Sequence, residues 1–185
     1  MTTATTAFLI QPTDDTALRA SFLDAMAEHE RVDGGPDADG LTMADLTGRT
    51  CITHYTEGLR DGTALRPGTE PMKQTVWWFV RDDADRRTYL GRISLRHHPV
   101  TSALGEPGSQ LWITVRPTMR RKGLGRALLT AALPFARANG ITQAVVEVSH
   151  GNAAARRLLQ AAGATPVEHR PAERAGRRRY HLPTG

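Results

Sequence analysis

Cysteine, lysine and long apolar runs are all scarce in this 185-residue chain, and the scarcity of cysteine and of apolar runs each excludes a class of protein. The single cysteine, Cys51, cannot form a disulfide within the chain, which excludes a disulfide-stabilised secreted domain and fits a reducing compartment. No apolar run approaches the roughly 20 residues that a membrane-spanning helix needs. The sequence MTTATTAFLIQP at the N-terminus has no basic segment ahead of its short apolar run, which argues against a secretory signal. We therefore expect a cytoplasmic protein with no membrane partner.

Lysine occurs only as Lys73 and Lys122, although the formal net charge is +5, so arginine carries nearly all of the positive charge. Such a balance suits either a polyanionic partner such as RNA or a single phosphorylated ligand, and charge alone does not choose between them. The remaining composition, 39% hydrophobic and 23% charged, is ordinary for a globular protein. Together with the length it predicts one domain that spans residues 1–185.

The first half of the chain predicts the element order β, α, α, β, β, β. Residues 7–10 form a short strand candidate, and Leu18, Phe22 and Met26 then recur at helical spacing after Asp14 or Asp15 as a cap. A mixed segment that is helical in part extends to about residue 59. The β-rich runs at 74–82 and 88–97 are typical of an antiparallel hairpin, and the run SQLWITV adds a third strand that Pro117 stops.

The second half alternates helices and strands more simply. Leu124, Leu128, Ala131 and Phe135 predict one apolar face of a helix that ends at the Asn139-Gly140 pair. The other predicted elements are a strand over 141–149, a helix capped by Asn152 and ended by Gly163, and two last strand candidates in ATPVEH and RRYHLP.

The stretch RPTMRRKGLGRALL, residues 116–129, lies between a predicted strand and a predicted helix. The first amides of a helix carry a partial positive charge and favour anions. Gly123 and Gly125 leave room for an anion to approach the backbone, and the preceding basic residues can surround it with charge. A pyrophosphate fits this arrangement. A dinucleotide fingerprint would need glycine where Leu128 stands, and a P-loop would need Ser or Thr after a Gly-Lys pair, so neither motif is present.

The spacing Arg120-x-x-Gly123-x-Gly125 after a strand resembles the coenzyme A pyrophosphate loop of the GNAT acyltransferase superfamily. The stretches LWITVRP and NAAARRLLQAAGA resemble the fourth strand and the Asn-initiated helix of that family, and GRISLRH, VRPTMRRKG and RRRYHL resemble a bacterial subgroup of acetyltransferases. The resemblance implies an α+β fold, a mixed and mostly antiparallel central sheet flanked by helices, with strands 4 and 5 splayed apart. It also implies an acceptor-side part over 7–74 and a coenzyme A-binding core over 75–182.

The resemblance implies acetyl-CoA as co-substrate, with its pantetheine arm paired to the backbone of Val115. No metal is expected, since the neighbouring His97 and His98 would point to opposite faces of a strand end and could not easily share an ion. The residues that the resemblance places at the coenzyme are Val115, Arg120, Arg121, Lys122, Gly123, Leu124, Gly125, Arg126 and Asn152.

The catalytic roles implied by the resemblance are less complete. The N–H of Ile113 would face the acyl carbonyl and stabilise its oxyanion, while Glu106 or His97 would relay the proton of the attacking amine through water. Many family members use a tyrosine as the acid, but Leu159 stands at that position. Ser149, His150 or Tyr180 would replace it, or the thiolate leaves without an assigned acid.

The expected activity is therefore N-acyl transfer from acetyl-CoA to a primary amine of a small molecule. One alternative keeps the fold and takes an aminoacyl group from charged tRNA, which the arginine excess and the run RRR near the C-terminus would suit. Another alternative is a non-catalytic module that senses coenzyme A. The sequence does not identify the acceptor, and it leaves a monomer and a homodimer both open.

Overall fold

The computed structural model describes residues 6–48, 51–63, 74–83, 86–97, 109–167 and 176–185. The elements follow the order predicted from the apolar pattern, with an additional short helix in the first half. They are β1 (Ala7–Ile10), α1 (Thr16–Asp33), α2 (Met43–Thr47), α3 (Cys51–Asp61), β2 (Gln74–Asp83), β3 (Arg86–Arg96), β4 (Leu111–Val115), a 3₁₀ turn (Pro117–Met119), α4 (Leu124–Ala138), β5 (Gln143–Ser149), α5 (Ala153–Ala161), β6 (Thr165–Pro166) and β7 (Arg177–Pro183).

Helix α1 has clear start and stop signals and buries one face. The Asp15 side chain accepts a hydrogen bond from the Ala17 amide at 2.8 Å, and Gly34 ends the helix in the left-handed conformation with φ 86°. Phe22 and Met26, one turn apart, are both fully buried. Phe22 stacks on Trp78 of β2 with ring centroids 4.6 Å apart, so the helix is held against the strand by aromatic packing.

The strands form two sheets. The first has the order β1-β2-β3-β4, with β1 antiparallel to β2 in a register that pairs Ala7 with Arg81. The second has the order β5-β7-β6 and is antiparallel throughout, with Ser149 of β5 opposite Arg177 of β7. Strands β4 and β5 thus belong to different sheets, as a splay of strands 4 and 5 requires. The α+β fold class predicted from the sequence is confirmed.

The chain forms two compact units, which are described separately below. The first comprises Met1–Ile93 and Ile113–Ala131, and its core contains Phe22, Trp78 and Tyr89. The second comprises Ser94–Trp112 and Ala132–Gly185. Across the described ranges, the helices are all too short or too polar to traverse a lipid bilayer.

Within the second unit, Gln110 joins the residues before β4 to β5. The backbone N–H of Gln110 donates to the Val145 carbonyl at 2.8 Å, and its side-chain oxygen accepts from the backbone N–H of Val145 at 3.1 Å. The Ser109 hydroxyl also accepts from the Glu147 amide at 3.3 Å. Side chains therefore supply part of the pairing that backbone groups provide in a regular ladder.

Candidate functional site

The segment between β4 and α4 presents backbone amides in an unusual conformation. Arg121 and Gly123 both have positive φ angles, of 64° and 78°. Backbone in which left-handed residues alternate with ordinary ones turns successive N–H groups toward one side and forms an anion-binding concavity. The Gly123 carbonyl accepts from the amides of Arg126 and Ala127, so the first hydrogen bonds of α4 begin there. The preceding amides lie ahead of those bonds and have no intrahelical acceptor.

Gly123 is required by this conformation rather than by close packing. A Cβ placed on Gly123 would have no protein atom of the described residues within 4 Å, whereas its φ of 78° is strained for any L side chain. Apart from its neighbours in the chain, no described residue therefore crowds this position. The expectation from sequence that Gly123 leaves room for an anion to approach the backbone stays a prediction.

Three cations of this segment have no carboxylate partner among the described residues: Arg121, Lys122 and Arg126. All three side chains are exposed. Within the described part of the chain, Nζ of Lys122 donates to the sulfur of Met119 at 3.6 Å. Since no acid neutralises these charges within the described ranges, the positive potential at the start of α4 is uncompensated.

Arg120, which the sequence places beside these cations, is paired with an acid. Its Nη1 and Nη2 atoms donate to the two carboxylate oxygens of Asp33, the last residue of α1, at 2.9 and 2.5 Å. Its Nε donates to the Val115 carbonyl at 3.2 Å. The Arg120 side chain therefore lies against the end of β4 and against α1.

Glu28 of α1 fixes the beginning of the same segment. Its Oε1 accepts from Nε and Nη2 of Arg116 at 2.8 and 2.6 Å, and its Oε2 accepts from the amide and the hydroxyl of Thr118 at 3.2 and 2.8 Å. Burial of the carboxylate raises its pKa, but the hydrogen bonds from Arg116 and Thr118 outweigh that effect, so the pKa of Glu28 lies below its ordinary value. The backbone between β4 and α4 is thus held by a buried ion pair.

The edge of β4 that the resemblance assigns to pantetheine and to the acyl carbonyl lies in the same unit. Ile113 and Val115 are both partly exposed. Next to them, β3 approaches β4 very closely at Gly91, where a Cβ would lie 2.2 Å from the Thr114 carbonyl oxygen. The Arg116 amide donates to the Leu90 carbonyl at 2.9 Å, which continues this pairing toward the turn. Only glycine fits at position 91 without moving β4.

A buried polar cluster in the first unit was not predicted from the sequence. Arg92 of β3, only 3% exposed, forms a two-pronged ion pair with Asp39 at 2.6 and 3.1 Å and lies 3.1 Å from an oxygen of Asp37. It also donates to the Tyr55 hydroxyl at 2.8 Å. Burial, above all, raises the pKa of Tyr55. Both acids come from the polar loop GGPDADG, so no periodic signal marked them.

The candidates for proton transfer in the second unit lie apart. Ser149 is exposed at the end of β5, whereas Tyr180 of β7 is 1% exposed and lies opposite Val146. Three register positions separate them, which corresponds to about 10 Å along the sheet. His97 is exposed at the end of β3, and Glu106 lies outside the described residues. Ser149 and Tyr180 therefore do not form a shared hydrogen-bonded pair in the part of the chain that the structure describes.

Asn152 acts as a helix cap in the second unit. Its Oδ1 accepts from the Ala155 amide at 3.0 Å, and the helix then buries Leu159, which is 3% exposed. Among the described ranges, no group of three histidine, cysteine, aspartate or glutamate side chains is arranged to hold a metal ion. The assignment of Asn152 to the coenzyme stays a prediction.

Comparison with known proteins gives one consistent result. The model of the Acetyltransferase (GNAT) family matches residues 52–164, more than half of the chain. The chain is 30% identical over 156 residues to the mycothiol acetyltransferase of Beutenbergia cavernae, a match that covers 83% of this chain and 50% of that protein. The chain therefore spans about half the length of this curated relative.

Solved structures show the same fold at low sequence identity. An acetyltransferase from Streptococcus agalactiae matches with a TM-score of 0.56 and 15% identity, over 96% of this chain and 98% of that chain. A chimera of the spermidine N-acetyltransferase SpeG from Vibrio cholerae and hSSAT matches with a TM-score of 0.58 and 14% identity, over 96% and 95% of the two chains.

Proposed function

Because this chain belongs to the Acetyltransferase (GNAT) family, we propose that it transfers an acetyl group from acetyl-CoA to a primary amine of a small molecule. The observation that carries the proposal is the conformation of the segment from Arg121 to Gly125. Its left-handed residues direct free amides to one side, and its exposed cations lack carboxylate partners within the described ranges. A diphosphate is the ligand that this combination of amides and charge suits best.

The coenzyme would be held by backbone and charge together. The amides of Gly123, Leu124 and Gly125 would bind the pyrophosphate, and Arg121, Lys122 and Arg126 would surround it. Val115 would pair with the pantetheine arm through its backbone, and Asn152 is the further residue that the resemblance assigns to the coenzyme. The motif also assigns Arg120 to the coenzyme.

Acetyl-CoA supplies a thioester whose carbonyl can be attacked directly by an amine. The N–H of Ile113 would stabilise the negative charge that develops on the carbonyl oxygen, which lowers the barrier because this charge is larger in the transition state than in the ground state. Holding the amine in line with the carbonyl supplies a further large part of the rate enhancement. No covalent enzyme intermediate is needed for this reaction.

The residues suggested by the resemblance for proton transfer differ in their accessibility. Exposure at the end of a strand makes His97 and Ser149 accessible to water and substrate, whereas burial makes Tyr180 the least accessible of the three. Glu106 keeps its proposed role as an alternative base. A general acid or base must come within hydrogen-bond reach of its proton, directly or through one water.

The relatives support an amine as acceptor. The curated relative is named as a mycothiol acetyltransferase and one structural neighbour as a spermidine N-acetyltransferase. These names describe those proteins, and the acceptor of this chain is proposed only at the level of a primary amine.

The proposal can be tested with a thiol-release assay that combines acetyl-CoA with a panel of polyamines, aminoglycosides, amino sugars and peptide N-termini. Thiol release that depends on one amine class would support the proposal. Release that requires charged tRNA as donor would favour aminoacyl transfer instead. Coenzyme A binding without turnover on any amine would favour a sensor.

A pair of glycine variants tests the location of the coenzyme. Gly123 and Gly140 lie near opposite ends of α4, both have positive φ angles, and neither Cβ would meet a protein atom of the described residues within 4 Å. Gly123→Val and Gly140→Val should therefore each lose about 1–2 kcal/mol of stability through backbone strain. Only Gly123→Val should weaken coenzyme A binding by more than tenfold, measured by isothermal titration calorimetry. Equal affinities of the two variants would contradict the assigned site.

A further inference from the structure

The guanidinium of Arg120 is already engaged by an internal anion. Both terminal nitrogens donate to the carboxylate of Asp33, at 2.9 and 2.5 Å, and Nε donates to the Val115 carbonyl at 3.2 Å. The forked face of an arginine is the part that binds a phosphate with two parallel hydrogen bonds. In this arrangement the fork faces a carboxylate instead.

We propose that Asp33 is an affinity-determining residue that competes with a phosphate of the coenzyme for Arg120. The inference rests on the proposed function, because it requires a coenzyme phosphate at the segment after β4. A phosphate that binds the two terminal nitrogens of Arg120 must displace the Asp33 carboxylate. A phosphate that binds beside the ion pair is repelled by the negative charge of that carboxylate. Both routes make Asp33 oppose binding.

The position of Asp33 makes this competition persistent. Asp33 is the last residue of α1, and its Oδ2 also lies 2.7 Å from Nδ1 of His29, whose side chain is only 2% exposed. The hydrogen bond from Arg120, above all, holds the pKa of Asp33 below its ordinary value, so the carboxylate is charged at neutral pH. The contact with the buried His29 thus keeps the Asp33 carboxylate next to Arg120.

The pair is nevertheless accessible to a ligand. The side chains of Asp33 and Arg120 are 38% and 37% exposed, in contrast to the Glu28–Arg116 pair, whose side chains are 10% and 12% exposed. Exchange of one anion for another on Arg120 therefore requires no opening of the core. The two ion pairs between α1 and the segment after β4 differ in this respect, and only the exposed one can be exchanged.

The direct test compares Asp33→Asn with Glu30→Gln by titration calorimetry with coenzyme A. Asparagine keeps a side-chain oxygen that can accept from His29. Glu30 is exposed on the same helix, so Glu30→Gln removes the same charge without touching Arg120. We expect Asp33→Asn to bind coenzyme A about two- to fivefold more tightly than Glu30→Gln does, as exposed ion-pair energies imply. An affinity equal to that of the control, or weaker, would overturn the inference.

Two further measurements exclude an indirect effect. Pantetheine has no phosphate, so its affinity should be the same in both variants, and a gain with pantetheine would show that the change acts elsewhere. In an Arg120→Gln background, Asp33→Asn should lose its advantage, because the contested group is gone. If the wild-type protein binds no coenzyme A, the proposed function fails together with the inference. If it binds and the variants do not differ, only the inference fails.

Discussion

Replacing Glu28 with glutamine removes one carboxylate that connects α1 to the segment after β4. That carboxylate accepts from Nε and Nη2 of Arg116 with one oxygen, at 2.8 and 2.6 Å, and from the amide and hydroxyl of Thr118 with the other. The side chains of Glu28 and Arg116 are only 10% and 12% exposed, so water can replace little of what is lost. Apart from Glu28, the Arg116 guanidinium donates among the described residues only to the carbonyl and hydroxyl of Ser21, at 3.3 and 3.2 Å.

The expected loss follows from leaving a charge without its partner. Breaking a buried ion pair on one side costs about 3–5 kcal/mol, and the slight exposure of both groups places Glu28→Gln near 3 kcal/mol. In a domain of this size that loss lowers the melting temperature by about 6–12 °C. Glu30→Gln, on the exposed side of α1, should change stability by less than about 0.5 kcal/mol.

Urea unfolding measured as a function of pH separates the ion pair from other effects of Glu28→Gln. The pKa of Glu28 is lowered in the folded state from its ordinary value of 4.5, so the stability it contributes is complete above that value. This contribution is lost as the pH falls through the folded-state pKa. The difference between wild type and Glu28→Gln should therefore be constant near neutral pH and shrink below about pH 4.5. A difference that does not exceed that of Glu30→Gln, or that persists unchanged in acid, would refute the reasoning.

Two further substitutions test the surroundings of the site. Gly91→Ala should lower the free energy of unfolding by more than about 3 kcal/mol and abolish acetyl transfer, because the added Cβ would lie 2.2 Å from the Thr114 carbonyl oxygen and displace β4. Urea unfolding measures the first effect and the thiol-release assay the second. A stable, active variant would contradict the close packing of β3 on β4. Asn152→Ala should lower the free energy of unfolding by about 1 kcal/mol, because it removes the side-chain oxygen that accepts from the Ala155 amide. Asn152→Asp keeps such an oxygen and should stay near the wild type. Thermal unfolding measures both variants, and equal losses would argue against a capping role.

The fold was largely predictable because its signals are local. The sequence predicted a helix cap at Asp14 or Asp15, and the structure shows Asp15 in that role, while Asp14 forms an ion pair with Arg19. The cap at Asn152 was predicted in the same way and is present. Such signals act over three or four residues, so they can be read without knowing the tertiary structure. The helix predicted up to the Asn139-Gly140 pair is also present as α4, which continues through Pro134.

The contacts that shape the site were not predictable because they join distant positions. Glu28 and Arg116 are 88 residues apart, and Asp39 and Arg92 are 53 residues apart. Apolar periodicity identifies which face of a helix is buried but does not indicate which charged side chains will meet there. The basic residues after β4 could be interpreted from sequence as a candidate anion site, and this stays a prediction. Which of these basic residues pair with a carboxylate could be determined only from the folded structure.

That division explains how a run of basic residues can be tolerated in folding and still present positive charge at the start of α4. Arg116 is buried and neutralised by Glu28, and Arg120 is half-exposed and neutralised by Asp33. Within the described ranges, Arg121 and Lys122 have no carboxylate partner. Neutralising the first two charges reduces repulsion between neighbouring cations and fixes the backbone before any ligand binds. The remaining charge is therefore concentrated where the amides at the start of α4 point outward, and an anion that binds there needs to order little of the protein.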